Sequence, residues 1–378
     1  MSPETTGDRA SDRPLDGVRV LDLSRLLPGP ACTWYLAGQG ARIDRVEPTR
    51  IGDPTRALPP FQDGVGVFFA ALNAGDRSLA LDLRHPSAPA VLARLLPHYD
   101  VLVEGFRPGV LEALGLGPDV LAQRVPRLVV ARLSGFGQTG PWASRAGHDL
   151  NYQALAGVLA MAGLNADGAP HAPPVQAADL GGALLAAFGI VSALLARERT
   201  GRGRVLDVSL AEAALSLVSP HVSTLTAEAR PARPGGELLT GAVPVYGTYR
   251  CKDGRWITVG ALEPRFQAAL AAEVGPIDQA ALREVFATRD RDDWVDALEE
   301  ACAAPVLDPG ELADHPQLAA RGAVQRLGRT TFVRPPLAPA DWAVGDVAKL
   351  GQHSAEILGE AGFSAEDLAA LRGSGAVR

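Results

Sequence analysis

The sequence predicts an α/β protein built around a parallel β-sheet, and three observations support this prediction. First, short apolar and β-branched runs recur along the N-terminal half of the chain. Second, a polar or glycine-rich turn closes each run, and third, segments with helical patterning lie between the runs. Strands that alternate with helices in this way are typical of βαβ units. The runs read VRVLDLS, ARIDRVE, RSLALDL, DVLVEGF and RLVVARLSGFG, and the helical segments include APAVLARLL and PGVLEALGL.

The next elements continue this alternation. LLPGPA follows the first strand, and its Pro28 and Pro30 favour the start of a helix that runs toward Gly38. After Asp179, the segment DLGGALLAAFGIVSALLARE predicts a long and mostly buried helix, followed by the strand RVLDVSL and another helix.

The composition then changes. Glu228–Gly241 is rich in Pro, Gly and charged residues, which is typical of a linker. Alternating residues around Lys252-Asp253-Gly254 predict a β-hairpin, and the helical segments EPRFQAALAAEV and RDDWVDALEEAC follow it. A Pro-rich segment, FVRPPLAPADW, leads to one polar terminal helix in SAEILGEAGFSAEDLAALRG. We predict a disordered leader at 1–14, a large domain at 15–227 completed by 330–378, a linker at 228–241 and a small α+β domain at 242–329.

Composition narrows the functional classes. The 378 residues carry a formal net charge of −7, and the arginines are scattered among acids, which argues against a nucleic-acid partner but allows local anion pockets. No apolar run approaches the roughly 18–20 residues of a membrane helix, and the polar N-terminus lacks a secretory signal. Three widely spaced cysteines, Cys32, Cys251 and Cys302, fit a reduced, cytoplasmic protein without a metal site.

Several common catalytic motifs are absent from the sequence. No G-x-G-x-x-G follows the first strand, so a nicotinamide enzyme is not expected. Neither a phosphate-binding G-x-x-x-x-G-K-[ST] nor a G-x-S-x-G nucleophile motif occurs, and no two histidines are spaced i, i+4.

His148 and Asp149 are adjacent titratable residues at the predicted start of a helix, where Asp149 or Gly147 would be the N-cap. The positive end of a helix suits the stabilisation of an oxyanion or an enolate. The alternative is that Asp149 only caps the helix and His148 is an exposed loop residue. Asp179 and Glu263 likewise precede or open helices. Taken alone, Asp179 is better explained as an N-cap, and a capping acid in the first helical turn is a plausible explanation of Glu263.

Taken together, these residues occur in segments that resemble the class III CoA-transferase family, and more narrowly its α-methylacyl-CoA racemase branch. The matching segments are LDGVRVLDLSRLLPGP, VEGFRPGV, LSGFGQTGP, GHDLNY, ADLGG and VGALEP. They run in order from about Leu15 to Glu311. The narrower resemblance rests on His148 before Asp149 and on Glu263.

The resemblance implies a Rossmann-like large domain, a small α+β domain and an interlocked homodimer. The active site of such a dimer is shared between subunits, so that Glu263 would come from the partner subunit.

The resemblance also implies catalytic roles. His148 and Asp179 would be the acid and base on opposite faces of C2 of an acyl-CoA thioester, exchanging roles with the direction of reaction. Asp149 and Glu263 would tune them or relay protons. Backbone N–H groups of Gly147–Asp149 would bind the thioester oxygen as it gains negative charge. CoA enters as part of the substrate, and no metal, flavin or nicotinamide is implied.

For CoA binding, the resemblance implies a phosphate contact by Arg107. The remaining implied positions are Leu81, Asp82, Leu83, Arg84, Asp100, Gly147, Asn151 and Tyr152. The sequence departs from the racemase pattern at Pro48, where the family has an arginine, and Arg45, Arg50 or Arg56 could substitute. A second departure is Gly247, which replaces an acid common in racemases.

These departures keep a CoA-transferase open as an alternative, and a non-catalytic binding protein is the alternative from another functional class. In a CoA-transferase, Asp149 would be the nucleophile that takes the acyl group as a mixed anhydride. In a non-catalytic acyl-CoA-binding protein, the acids would serve only as helix caps. The resemblance favours a 2-methylacyl thioester, while a polyketide-type or short dicarboxylic acyl group is equally compatible with the sequence.

Overall fold

The computed structural model describes residues 13–378, so most of the predicted leader lies outside the described residues. The strands are β1 Arg19–Asp22, β2 Arg42–Glu47, β3 Phe61–Gln62, β4 Val65–Gly66, β5 Arg77–Ala80, β6 Val101–Glu104, β7 Val129–Ser134, β8 Val205–Ser209, β9 Tyr246–Arg250, β10 Trp256–Gly260, β11 Ala303–Pro305, β12 Val324–Leu327 and β13 Thr330–Val333. The α-helices are α1 Pro28–Gly38, α2 Val67–Asn73, α3 Ala88–Leu95, α4 Val110–Ala113, α5 Pro118–Arg124, α6 Asp149–Leu155, α7 Val158–Met161, α8 Ala177–Thr200, α9 Leu210–Leu217, α10 Ser219–Ala227, α11 Pro264–Val274, α12 Gln279–Phe286, α13 Arg291–Ala297, α14 Pro316–Ala320, α15 Ser354–Glu360 and α16 Ala365–Gly373. Three 3₁₀ turns complete them at Pro54–Ala57, Leu96–His98 and Leu238–Thr240.

The central sheet is parallel, which confirms the predicted α/β class. Its strand order is β5-β2-β1-β6-β7-β8, and every neighbouring pair is parallel. Strands β6 and β7 are buried along their whole length, as expected for strands covered on both faces. The chain leaves β1 toward β2 on one side and later returns to β6 on the other. Ligands of such sheets bind at this switch point, outside the carboxyl ends of the strands.

The chain divides into two units. The first contains the described residues up to Tyr152, together with Val175–Leu217 and Pro316–Arg378, and the second contains Gln153–Pro174 and Val218–His315. These bounds differ from the predicted ones, because 153–174 and α10 group with the second unit and 316–329 with the first. The predicted boundary after residue 329 would cut a hairpin that the sequence did not indicate, in which β12 pairs with β13.

Two apolar layers cover the sheet of the first unit. Helices α1 and α8 supply one layer, with Ala31, Leu36, Ala183 and Ile190 among its buried residues. Helices α3, α5 and α15 contribute to the other layer. Contrary to the expectation from sequence, α8 is long and apolar enough to cross a membrane, although the core helix of a soluble protein meets the same criteria.

The second unit contains the predicted hairpin, in which β9 and β10 pair in antiparallel register and β11 adds to β10. Gly254 occupies the turn at φ +82°, a conformation that favours glycine. The stacked rings of Tyr249 and Phe286, with centroids 5.0 Å apart, lie in its core beside Trp294.

The predicted single terminal helix is two helices, α15 and α16. Gly362 adopts φ +80° and ends the first. Ser364 then opens the second through a capping box with Asp367.

Candidate active site

Tyr152 organises the loop that follows β7. Its hydroxyl donates a hydrogen bond to the carbonyl oxygen of Gly147 at 2.5 Å. A Cβ atom at Gly135 would lie 2.4 Å from the Tyr152 ring, and one at Gly147 would lie 2.7 Å from it. Phe136 packs edge-on against the same ring, with centroids 5.1 Å apart. Gly135 in LSGFG and Gly147 in GHDLNY are therefore required because the ring passes directly over their backbones.

His148 lies exposed at the N-terminus of α6. The helix begins at Asp149, so the predicted N-cap was wrong by one residue, and His148 occupies that position. The backbone N–H of His148 donates to Oδ1 of Asn151 at 3.0 Å. Of the three amides expected to bind the thioester oxygen, this one is therefore already engaged.

Asp149 is a helix cap, but for a different helix from the one predicted. Its Oδ1 accepts hydrogen bonds from the backbone N–H groups of Ala178 at 2.9 Å and Asp179 at 3.0 Å. These amides belong to the first turn of α8, which has no side-chain cap on its own N-cap residue. The carboxyl group of Asp149 is buried, with 9% of the residue exposed. This contact brings Asp149 and Asp179 together across 30 residues of sequence.

Asp179 has a carboxyl group suited to proton exchange near neutral pH. Burial, and secondarily the negative charge of Asp149, raise its pKa from 3.8 to about 7. The pKa of Tyr152 is also raised, chiefly by burial and then by Asp179 and Asp149, while Arg107 opposes the rise. Asp179, Asp149 and Arg107 thus all act electrostatically on the Tyr152 hydroxyl.

Glu263 belongs to the second unit and lies exposed immediately before α11. Its side chain makes no capping hydrogen bond. Its backbone carbonyl oxygen accepts hydrogen bonds from the backbone N–H groups of Phe266 and Gln267. Its predicted approach to the catalytic residues stays a prediction, as does the effect of Gly247 in β9.

The segment Leu81–Arg84 follows β5 at the carboxyl edge of the sheet. The Leu81 and Asp82 backbone N–H groups bond within the protein, and Asp82 Oδ1 accepts the Arg84 N–H at 3.0 Å. Leu83 is half-buried and Arg84 is exposed. Arg107 is likewise exposed, after β6 on the same edge.

Two of the predicted CoA contacts need correction. Arg45 is only 1% exposed, and its Nη2 pairs with Asp22 Oδ2 at 2.7 Å, so its guanidinium is not available to a phosphate. Asp100 precedes β6 at the amino edge of the sheet, opposite the expected ligand edge, and pairs with Arg197 at 3.0 Å. Of the substitutes considered for Pro48, Arg56 pairs with Glu47, which leaves the exposed Arg50.

Sequence reasoning missed two buried acids that shape the loops on this edge. Asp22 and Glu104 are the last residues of β1 and β6, and each accepts the backbone N–H two residues further on. The sequence signal that could have identified them is an acidic residue at the end of an otherwise apolar strand.

Comparison with known proteins places this geometry in a family. The profile of CoA-transferase family III matches residues 15–352. The chain is 38% identical over 377 residues to the alpha-methylacyl-CoA racemase of Homo sapiens, covering 94% of this chain and 95% of that protein. It is 34% identical to a succinyl-CoA–D-citramalate CoA-transferase of Chloroflexus aurantiacus, covering 78% and 73%. A CaiB/BaiF family protein from Brucella suis superposes with a TM-score of 0.80 at 28% identity, covering 92% and 99% of the two chains. The chain therefore belongs to CoA-transferase family III.

Proposed function

We propose that this protein is a racemase or epimerase of 2-methylacyl-CoA thioesters, acting by 1,1-proton transfer at C2. The observation that carries the proposal is Asp179, whose pKa of about 7 is raised by burial and by Asp149. A group with such a pKa both accepts and donates protons at neutral pH. The match to alpha-methylacyl-CoA racemases at 37–38% identity supports the same activity.

In one direction, the Asp179 carboxylate removes the C2 proton and the imidazolium of His148 delivers a proton to the opposite face. The electron pair of the broken C–H bond passes into an enolate, and its oxygen needs stabilising charge. The reverse direction uses neutral His148 as the base and protonated Asp179 as the acid. Each turnover leaves the pair with exchanged protonation states, so solvent exchange or a reverse turnover must reset them.

Asp149 tunes this pair. Its Oδ1 is held by two amides of α8, which fixes a negative charge beside Asp179. Glu263 of the partner subunit would relay protons in the same site.

CoA binds along the carboxyl edge of the sheet. Arg107, Arg84 and the backbone of Leu81–Arg84 contact it, and Arg50 replaces Arg45 as the basic group after β2. Gly147, Asn151 and Tyr152 border the thioester. Acyl-CoA is the substrate, and no further cofactor takes part.

A homodimer completes the site. One face of α8 exposes Leu184, Phe188, Val191 and Leu195, and Phe188 has 72% of its surface exposed. Apolar patches of this kind mark interaction surfaces, and a second copy of the chain would cover it. We assign the enzyme to the cytoplasm, with neither nucleic acid nor membrane as a partner.

A CoA-transferase is the second candidate. The buried Asp149 carboxylate next to Asp179 favours it, since the transferase nucleophile would be Asp149. The two amide hydrogen bonds to Oδ1 give this carboxylate a structural function and would have to be compatible with anhydride formation.

Deuterium incorporation tests the proposal. The protein is incubated in D₂O with a 2-methylacyl-CoA and no acceptor acid, and C2 is followed by NMR. We expect exchange with loss of stereochemical purity in the wild type and loss of racemisation in His148→Ala. Absence of exchange, together with CoA transfer to added carboxylic acids that requires Asp149, would establish the transferase instead.

A further inference from the structure

The two strands that flank the switch point end in the same pattern, an acid followed three residues later by an exposed arginine. In β1 the pair is Asp22 and Arg25, and in β6 it is Glu104 and Arg107. In both cases the carboxylate stabilises a turn by accepting a backbone hydrogen bond from the residue two positions further on. Asp22 Oδ1 accepts the Ser24 N–H at 2.7 Å, and Glu104 Oε2 accepts the Phe106 N–H at 2.6 Å.

The two turns lie side by side. β1 and β6 are hydrogen-bonded neighbours, with Asp22 opposite Val103. A Cβ atom at Gly105 would lie 3.5 Å from the Ser24 side chain, so the loops touch where the strands end. Arg25 and Arg107 therefore emerge from adjacent loops at the crevice where doubly wound sheets bind their ligands.

Buried charges hold the backbone on both sides of Arg25. Arg45 Nη1 donates to the Ser24 carbonyl at 3.3 Å, and Asp53 Oδ2 accepts the Leu26 N–H at 2.9 Å. Leu26 adopts φ +68°, a left-handed conformation that is costly for leucine. The turn that carries Arg25 is therefore held in place on both sides, as preorganised binding residues need to be.

Neither arginine has a carboxylate counter-ion among the described residues. Over residues 13–378, no carboxylate forms an ion pair with Arg25 or Arg107, whereas Arg45, Arg56 and Arg132 are each paired. Two unneutralised guanidinium groups at one crevice in a chain of net charge −7 provide a local anion site.

We infer that Arg25 is a substrate-binding residue that acts with Arg107 to hold anionic oxygens of the acyl-CoA. Those oxygens come from the diphosphate of CoA or from a carboxylate on the acyl group. The inference deepens the proposed function, because it names a specificity contact of the same site.

Equilibrium binding by calorimetry tests Arg25 without requiring turnover. If Arg25 binds the diphosphate, Arg25→Gln should weaken binding of free CoA about tenfold or more, as for loss of a charge-assisted contact, and Arg25→Lys should retain part of the affinity. The matched control is Arg124→Gln, an exposed arginine at the end of α5, which should bind CoA as the wild type does. Circular dichroism and the melting temperature of each variant report whether it folds.

Further ligands identify the source of the anion. If Arg25 binds the diphosphate, pantetheine binds wild type and Arg25→Gln equally. If it binds an acyl carboxylate, free CoA is unaffected, and only a dicarboxylic acyl-CoA loses affinity relative to a neutral acyl-CoA of equal length. Equal affinities of Arg25→Gln and the wild type for all ligands, or equal losses for pantetheine and CoA, would overturn the inference.

These outcomes separate the two proposals. Weaker CoA binding by Arg25→Gln without deuterium exchange at C2 would uphold the Arg25 site and reject the racemase. Deuterium exchange at C2, together with unchanged affinity of Arg25→Gln for every ligand, would uphold the racemase and reject the Arg25 site.

Discussion

Asp149 Oδ1 accepts the backbone N–H of Asp179 at 3.0 Å, so one carboxylate caps the helix that carries the other. The cap holds a negative charge close to a second, partly buried carboxyl group. Like charges disfavour double ionisation, and this effect adds to burial in raising the pKa of Asp179. A contact that stabilises the start of α8 thereby also raises the pKa of Asp179, the proposed acid–base group.

Asp149→Asn should separate these two functions. Asparagine keeps an oxygen acceptor for the amides of α8 but removes the negative charge. The pKa of Asp179 should then fall below about 7 while burial keeps it above its ordinary value. The acid limb of the pH–rate profile should move to lower pH for the enantiomer from which Asp179 abstracts the proton. The profile is measured as kcat/KM for deuterium exchange.

Asp119→Asn is the control for this shift, because Asp119 is an exposed acid on α5. Its profile should match the wild type. An acid limb that stays in place in Asp149→Asn would mean that Asp149 does not set the pKa of Asp179.

Variants of the two acid–base residues should be complementary in stereochemistry. In a two-base mechanism, each enantiomer presents its C2 proton to one residue only. Asp179→Asn should still exchange the enantiomer served by His148, and His148→Asn should exchange the other. Racemisation should fall about 10²- to 10⁴-fold in both variants. The measurement is exchange of each pure enantiomer in D₂O, and loss of exchange from the same enantiomer in both variants would exclude separate faces.

Gly135→Ala should disturb the site through Tyr152. The added Cβ would lie 2.4 Å from the ring, so the ring or the β7 loop must move. Overpacking of this kind costs about 1–3 kcal/mol of unfolding free energy. Displacing Tyr152 also removes its hydrogen bond to Gly147, next to His148, so kcat should fall as well.

Gly359→Ala in α15 is the matched control for Gly135→Ala, because a Cβ added at Gly359 would have no atom within 4 Å and the helix accepts alanine. It should retain wild-type kcat and be at least as stable as the wild type, because alanine is favoured over glycine within a helix. Equal behaviour of the two variants would show that the close approach of Tyr152 is not required.

The sheet and the β9–β10 hairpin could be predicted because the spacing of apolar residues and the positions of turn residues depend on local structure. The terminal segment was predicted as one polar helix, whereas Gly362, with a φ of +80°, ends the first of two helices. Boundaries of this kind depend on single residues, so periodicity locates them poorly.

The sequence identified the candidate site residues, but it did not predict the contacts between them. His148, Asp149 and Asp179 were all named, yet the cap from Asp149 to α8 joins residues 30 positions apart, and sequence spacing does not indicate such a contact. The predicted CoA contact of Arg45 was wrong for a related reason. The sequence shows that a strand contains an arginine, but it does not show which acid pairs with that arginine. Its ion pair with Asp22 exists only after β1 and β2 are side by side.

The raised pKa of Asp179 also predicts a cost in stability at high pH. Its carboxyl group binds a proton more tightly in the folded state, with a pKa of about 7, than at its ordinary value of 3.8. This contribution to stability is complete below pH about 4 and is lost as the pH rises through about 7. Asp179→Asn cannot ionise, so its stability relative to the wild type should increase from pH 5 to pH 8. The full shift corresponds to at most about 4 kcal/mol, and partial exposure should reduce the measured difference to about 1–3 kcal/mol.

Urea unfolding of both proteins at pH 5 and pH 8, at one protein concentration, measures this difference. A gain that is larger at pH 8 than at pH 5 would show that the wild type gives up stability to keep an ionisable group in a poor environment, as expected of a catalytic acid. A stability difference between Asp179→Asn and the wild type that is the same at pH 5 and pH 8 would have the opposite meaning. The pKa of Asp179 would then lie near or below its ordinary value, and Asp179 could not exchange protons at neutral pH.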